Sequence, residues 1–271
     1  MRRRSFLAGA CAGGLAGLAR TAPGADTSPM NKEYYELRLY RVGSADQRKA
    51  LDEFLGKVAV AAWNRAGAKP VGAFQPAEPA TKGKATDRLE MGPLDVCVLL
   101  PHKSAESLVT CRARLLADKQ YLADGEPFLK RPKNDPLYQR IESWVLLAFD
   151  AVPKVEVPST KDTRVFQLRV YEAHSVERNV KKVEMFNAAG EVAIFRKCGM
   201  NPVFFGEALF GTRIPNLTYM IGFDDGDAQK AGWKKFMGHP DWKKISRDPA
   251  YKDTVSRISN IVLRPTAYSQ I

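Results

Sequence analysis

The chain has 271 residues, 45% hydrophobic and 27% charged, a balance that excludes both a disordered polymer and a membrane-embedded protein. Its formal charge of +12 falls to +8 once residues 1–25 are set aside, because Arg2, Arg3, Arg4 and Arg20 lie there with no acid. No dense Lys/Arg stripe with interleaved aromatics accompanies that charge, so nucleic acid is excluded as an expected partner.

The chain opens Met1-Arg2-Arg3-Arg4-Ser5-Phe6-Leu7, followed by a weakly hydrophobic run to Leu18 that glycines interrupt. That run is too short for a bilayer span, which takes ~20 residues, so no stable membrane anchor is expected. A basic start, a short apolar run and small residues are the parts of an export signal. The Arg3-Arg4-Ser5-Phe6-Leu7 core resembles the twin-arginine signal, which implies the twin-arginine export machinery as a partner and a periplasmic or extracellular destination. Residues 1–29 therefore read as signal peptide and leader, with cleavage somewhere in Ala22–Pro29. Cys11 belongs to that leader. Cys97, Cys111 and Cys198 remain, with no CxxC pair, and read as small buried side chains rather than a disulfide framework or zinc site.

The rest of the chain repeats itself. Tyr34–Tyr40 (YYELRLY) matches Val165–Tyr171 (VFQLRVY), so that Leu37, Arg38 and Tyr40 align with Leu168, Arg169 and Tyr171. Gly67, Pro70 and Val71 then align with Gly199, Pro202 and Val203, Tyr121 with Trp242, and Asp135-Pro136 with Asp248-Pro249. Order is kept while the offset shrinks, as duplication followed by loop insertion in the first copy would leave it. Pro76–Gly92 reads as that inserted loop, and Ala151–Thr163, with Pro153 and Pro158, as a semi-stiff extended linker. The modules are thus expected at residues 34–150 and 164–271.

Each module starts with an alternating strand, Tyr35–Tyr40 or Phe166–Tyr171. Ala45–Ala66 and Val176–Cys198 show helical spacing and end at Gly67 and Gly199, where a C-terminal cap needs left-handed backbone. Strands follow at 70–75 and 94–100 in the first copy and at 202–207 and 217–223 in the second. Second helices begin near Ser104 and Asp225, and last strands are expected at 141–149 and 258–263. Each copy reads βαββαβ, the ferredoxin-like order. The fold class is therefore α+β: two tandem ferredoxin-like modules whose sheets cover each other and close a barrel of about eight strands. A barrel that closes within one chain predicts a monomer.

With Trp233-x-x-Phe236-x-x-His239-Pro-Asp-Trp242 and Leu263-Arg264-Pro265-Thr-Ala-Tyr268-Ser269 added to the YELRLY wording, the sequence resembles the NIPSNAP family of the dimeric α+β barrel superfamily. The resemblance covers nearly all of both copies and is better in the second. It implies the fold and an intramolecular pseudo-dimer; it brings no catalytic residues. Superfamily relatives include cofactor-free monooxygenases and haem enzymes, an analogy of fold only.

Strand alternation marks the candidate site. If Leu37, Leu39, Leu168 and Val170 pack on the helices, then Glu36, Arg38, Tyr40, Arg169 and Tyr171 share the barrel lumen. Two guanidiniums and two phenols there would grip a carboxylate or enolate. The plainer alternative is that each arginine is braced by an acid, with Glu36 and Glu207 the nearest candidates by sequence. His102, His174 and His239 lack a second ligand at metal spacing, so neither a metal nor any other cofactor is expected. Asp224, Asp225 and Asp227 read as a helix N-cap rather than a calcium loop. Two functions fit this pattern. One is a module that binds a small ligand or a protein partner, favoured if Leu and Phe fill the lumen. The alternative is a cofactor-independent oxygenase or isomerase-type enzyme, favoured if unpaired Arg and Tyr groups converge in an open lumen.

Overall fold

The computed structural model describes residues 32–77 and 87–271. The leader expectation, and most of the inserted loop, lie outside the described residues. The first module runs β1 (Tyr34–Arg41), α1 (Ala45–Phe54), a π-helical turn (Leu55–Ala59), α2 (Val60–Arg65), β2 (Gly72–Pro76), a short β3 (Asp87–Arg88), β4 (Val96–His102), α3 (Ala105–Ala117), α4 (Lys119–Leu129) and β5 (Arg140–Ala148). The second runs β6 (Val165–Glu172), α5 (Val176–Asn187), α6 (Glu191–Lys197), β7 (Asn201–Phe210), β8 (Asn216–Phe223), α7 (Gly226–Gly238), α8 (Pro240–Ile245) and β9 (Arg257–Pro265).

Local chemistry explains the boundaries. The side chains of Ser44, Ser104, Ser175 and Asp225 accept hydrogen bonds from first-turn amides and start α1, α3, α5 and α7. Gly67 and Gly199, at φ 98° and 77°, end the first helical stretch of each module in left-handed backbone. The stretch expected as one helix over 176–198 is broken by Gly190 at φ 84°, which separates α5 from α6.

The strands of the first module pair in the order β2-β4-β1-β5 and those of the second in the order β7-β8-β6-β9, so the two modules share one topology. Antiparallel pairing of β5 with β7, and of β9 with β2, joins the sheets at both edges. Eight antiparallel strands therefore form a closed barrel, with β3 added in parallel alongside β9. Residues 151–163 run extended but not free: Val152 is buried, and the Glu156 amide donates to the Val203 carbonyl at 2.9 Å.

Among the described residues lie three apolar clusters, one under each helical layer and one inside the barrel. The barrel interior is built from Tyr35, Leu37, Leu39, Phe74, Leu99, Phe166, Leu168, Val170, Phe204 and Met220. This reverses the expected facing of the first strands. Leu37, Leu39, Leu168 and Val170 point into the lumen, whereas Tyr40 and Tyr171 pack beneath the helices of their own modules. Arg38 and Arg169 follow their tyrosines and meet helix-borne Trp63 and Trp233. The physical reason is desolvation. The lumen of an eight-stranded barrel is narrow, and two guanidiniums, with the Glu36 carboxylate that shares their face, would lie there far from water. The helical side offers aromatic faces and partial access to solvent.

Candidate functional site

On β1, Glu36, Arg38 and Tyr40 stand two residues apart on the face beneath α2, α3 and α4. Arg38 Nε and Nη2 donate to the two carboxylate oxygens of Glu36 at 2.6 and 2.8 Å, a bidentate pair. The guanidinium also lies 5.6 Å from the Trp63 ring. Burial works to strip Arg38 of its proton, but Glu36 and the Tyr40 hydroxyl outweigh it and hold the charge more firmly than usual. Burial pushes the Tyr40 phenol up to about 12 against the opposing pull of Arg38. His102, buried at the end of β4, has its Nε2 3.9 Å from Glu36 Oε2, and burial lowers its pKa to about 4.

Arg38, Tyr40 and Trp63 open onto a cavity of about 470 Å³ between sheet and helices, within the range typical of small-molecule sites. Trp63, Phe54, Tyr121, Phe128 and Tyr138 form aromatic walls together with leucines such as Leu115 and Leu137, and Arg38, Arg112 and Arg131 also line the cavity. Among the described residues, no aspartate or glutamate lines it. Arg38 is neutralised by Glu36, and Arg131 by Asp135 at 2.6 Å. Arg112, exposed on α3, has no ion pair among the described residues, so the cleft carries one uncompensated positive charge.

The second module is an internal control, because β6 repeats β1. Arg169 again sits under its helices, but no acid among the described residues pairs with it directly. It lies 4.6 Å from the Trp233 ring and 5.3 Å from Tyr171, and Tyr219, Tyr171 and Glu191 sustain its charge against the cost of burial. Glu207 does not brace it: that carboxylate accepts from Asn179 Nδ2 at 3.0 Å. Where the first module has the small pair Ala73 and Val98 on β2 and β4, the second has Phe205 and Tyr219, stacked 4.7 Å apart. Trp233 stands as far beyond its N-cap Asp225 as Arg112 does beyond Ser104. Its indole N–H donates to Gln167 Oε1 at 2.7 Å, and its ring meets Phe195 and Phe236. An aromatic plug thus occupies the position that an arginine leaves open in the first module.

The structure therefore brings Glu36, Arg38 and Tyr40 together on one face of β1, with Arg38 and Tyr40 lining the cleft, and Arg169 with Tyr171 beneath the helices of the second module, and does not unite the two sets. The residues that sequence reasoning missed are Arg112, Trp63, Tyr121 and Tyr138. Aligning the caps Ser104 and Asp225 would have exposed the Arg112/Trp233 difference. His239 caps α8, accepting from the Asp241 amide, and among the described residues no group of three metal-ligating side chains converges.

Residues 166–270 match the NIPSNAP family model. The second module is a NIPSNAP domain. The whole barrel is similar in fold to a proposed monooxygenase from Fusobacterium nucleatum subsp. nucleatum, with 8% identity, a TM-score of 0.50, and coverage of 87% of this chain and 93% of that one. A proposed monooxygenase from Lactobacillus acidophilus NCFM gives 8% identity and a TM-score of 0.50 over 86% of this chain and 94% of its own. A NIPSNAP-like domain protein from Burkholderia xenovorans, 15% identical, spans 41% of this chain and 91% of its own with a TM-score of 0.37. A search of curated proteins returned no match. The plugged cleft thus belongs to the NIPSNAP domain and the open one to the module before it.

Proposed function

We propose that this protein binds a small planar aromatic monoanion, such as an aryl carboxylate, in the cleft between sheet and helices of the first module. The carrying observation is the internal contrast: the same cleft is open with Arg112 at its rim in one module and plugged by Trp233 in the other. Aromatic walls suit a planar ring, whose stacking adds to simple burial. The single unpaired guanidinium selects one negative charge, and the absence of lining acids removes the repulsion an anion would meet. Arg38, Tyr40, Arg169 and Tyr171 all lie on the helical side of their strands, so no Arg and Tyr groups converge in the apolar lumen, which supports binding over oxidation inside the barrel.

Titration calorimetry with 2-naphthoate tests this. Saturable binding at one molecule per chain is expected, weakened roughly tenfold or more by Arg112→Ala, since a charge-assisted contact contributes about 1.5–3 kcal/mol. Binding that Arg112→Ala and Arg112→Trp leave untouched would count against the assignment. The twin-arginine wording of the leader supports an exported protein, in which case the mature chain recovered outside the cytoplasm begins between Pro23 and Met30. Recovery of exported protein with Met1 intact would remove that part of the reading.

A further inference from the structure

On the other face of β1 lies a second cavity, of about 270 Å³, at one end of the barrel lumen. Its walls come from both modules: Leu37, Leu39 and Cys97 from the first, Leu168 and Val170 from the second, with Trp144 at the side. An enclosed apolar cavity of about 150 Å³ takes a benzene, so this one has room for a two-ring or short-chain molecule. The floor is dry in character, and burial pushes the Cys97 thiol up to about 12, which makes it wall rather than nucleophile.

The mouth is polar, its two arginines facing acids and Glu90 beside them. Arg41 donates to both Glu142 oxygens at 3.0 and 3.1 Å and to Asp95 at 2.9 Å. Arg213 donates to Ser259 Oγ at 3.0 Å, with Glu172 at 3.8 Å. Two neutral hydroxyls complete the rim and are held from behind. Trp144 Nε1 donates to Thr212 Oγ1 at 3.0 Å, and Thr218 Oγ1 donates to Asn216 Oδ1 at 3.0 Å. Each hydroxyl keeps unused capacity: Thr212 can still donate, and Thr218 can still accept. The buried Asn216 amide ties down the Thr212 and Arg213 carbonyls, and Arg213 takes a left-handed φ of 64°, unusual for a residue with a side chain. Non-glycine residues held in this conformation concentrate at ligand clamps and switch regions.

We infer that this lumen cavity is a second, separate binding site, for a small uncharged amphiphile: an apolar body of about two rings among Leu37, Leu39, Leu168 and Val170, and a hydroxyl or carbonyl head on Thr212 and Thr218. Because Arg41 and Arg213 already face carboxylates and Glu90 adds a further negative charge, an anionic head would lose its hydration without gaining a counter-charge, whereas the two hydroxyls offer a neutral head its hydrogen bonds. The two cavities lie on opposite faces of β1, so alternate residues of one strand line both, Leu37 and Leu39 this one and Arg38 and Tyr40 the cleft.

The probe is 2-naphthol, neutral at pH 7, against its anionic counterpart 2-naphthoate on the full-length protein. Naphthol is expected to bind wild type and Arg112→Ala alike, and to persist when 2-naphthoate saturates the cleft. It is expected to weaken about tenfold or more in Val170→Phe, whose ring fills the cavity. Nuclear Overhauser contacts from naphthol protons to the methyls of Leu37, Leu39, Leu168 and Val170 in wild type provide a readout that does not depend on a variant folding. No naphthol binding, loss of it in Arg112→Ala, displacement by naphthoate, or contacts to other methyls would each overturn the assignment.

Discussion

Replacing Glu36 by glutamine should separate the structural from the binding role of Arg38. The substitution keeps the shape and one acceptor but removes the charge opposite a guanidinium whose side chain is 18% exposed, against 14% for the glutamate. Two unit charges about 4 Å apart attract by about 4 kcal/mol at an effective dielectric of 20. Breaking a fully buried pair costs about 3–5 kcal/mol, and the residual exposure here argues for the lower end, about 3. For a chain of this size that corresponds to a fall in Tm of roughly 6–12 °C, read by differential scanning calorimetry and checked by urea unfolding. The freed guanidinium lining the cleft would then accept a carboxylate from outside. Saturating 2-naphthoate should therefore stabilise Glu36→Gln more than wild type, because a ligand at a hundred times its Kd adds about 2.7 kcal/mol. A loss below about 1 kcal/mol would show that the pair is no more than a screened brace. A destabilised variant that naphthoate fails to rescue would show that Arg38 does not serve the cleft.

Three further outcomes are expected. Lys182 and Glu191, 2.8 Å apart and 7% and 2% exposed, form a buried pair; Glu191→Gln should cost about 3–5 kcal/mol, while Lys182→Leu with Glu191→Leu costs far less, and additive urea-unfolding losses would contradict this. His102, with its pKa depressed to about 4, is uncharged in the folded state, so its contribution is full above the ordinary value near 6.5 and is lost as pH falls through about 4. His102→Phe should accordingly show a flatter stability profile than wild type between pH 6.5 and 4, and parallel profiles would refute the assignment. In the NIPSNAP domain, Trp233→Arg should open the plugged cleft and raise 2-naphthoate stoichiometry from one to two per chain by calorimetry; an unchanged stoichiometry would mean that Phe205 and Tyr219 close the cleft unaided.

The repeat was legible because both modules keep what local structure needs: the alternating strands around Leu37 and Leu168, the caps at Ser104 and Asp225, and the glycines at 67 and 199. The direction of the pleat was not. Alternation sorts Tyr35, Leu37 and Leu39 from Glu36, Arg38 and Tyr40, but here both faces of β1 are buried, one by the opposite sheet and one by helices. Polarity then ceases to mark the outside. What decided the matter was how each space could satisfy a guanidinium, and this depends on Trp63 and Trp233, brought in from distant helices. The cleft was hidden for a similar reason, since its lining spans Arg38 to Ile141 and no segment of it has a motif.

Closure of the barrel by β5 on β7 and β9 on β2 takes place within a single polypeptide. In a ring built from two copies of one gene product, every substitution arrives twice, on both sides of the symmetry axis. A tryptophan that seals one chamber seals the other, and a cation that draws ligand to one draws it to both. Covalent fusion lifts that constraint. Arg112 and Trp233 could diverge because each codon specifies one chamber only. One half is then free to specialise in packing while the other retains room for a guest, and the stability of the sealed half supports the hollow one through the seams they share.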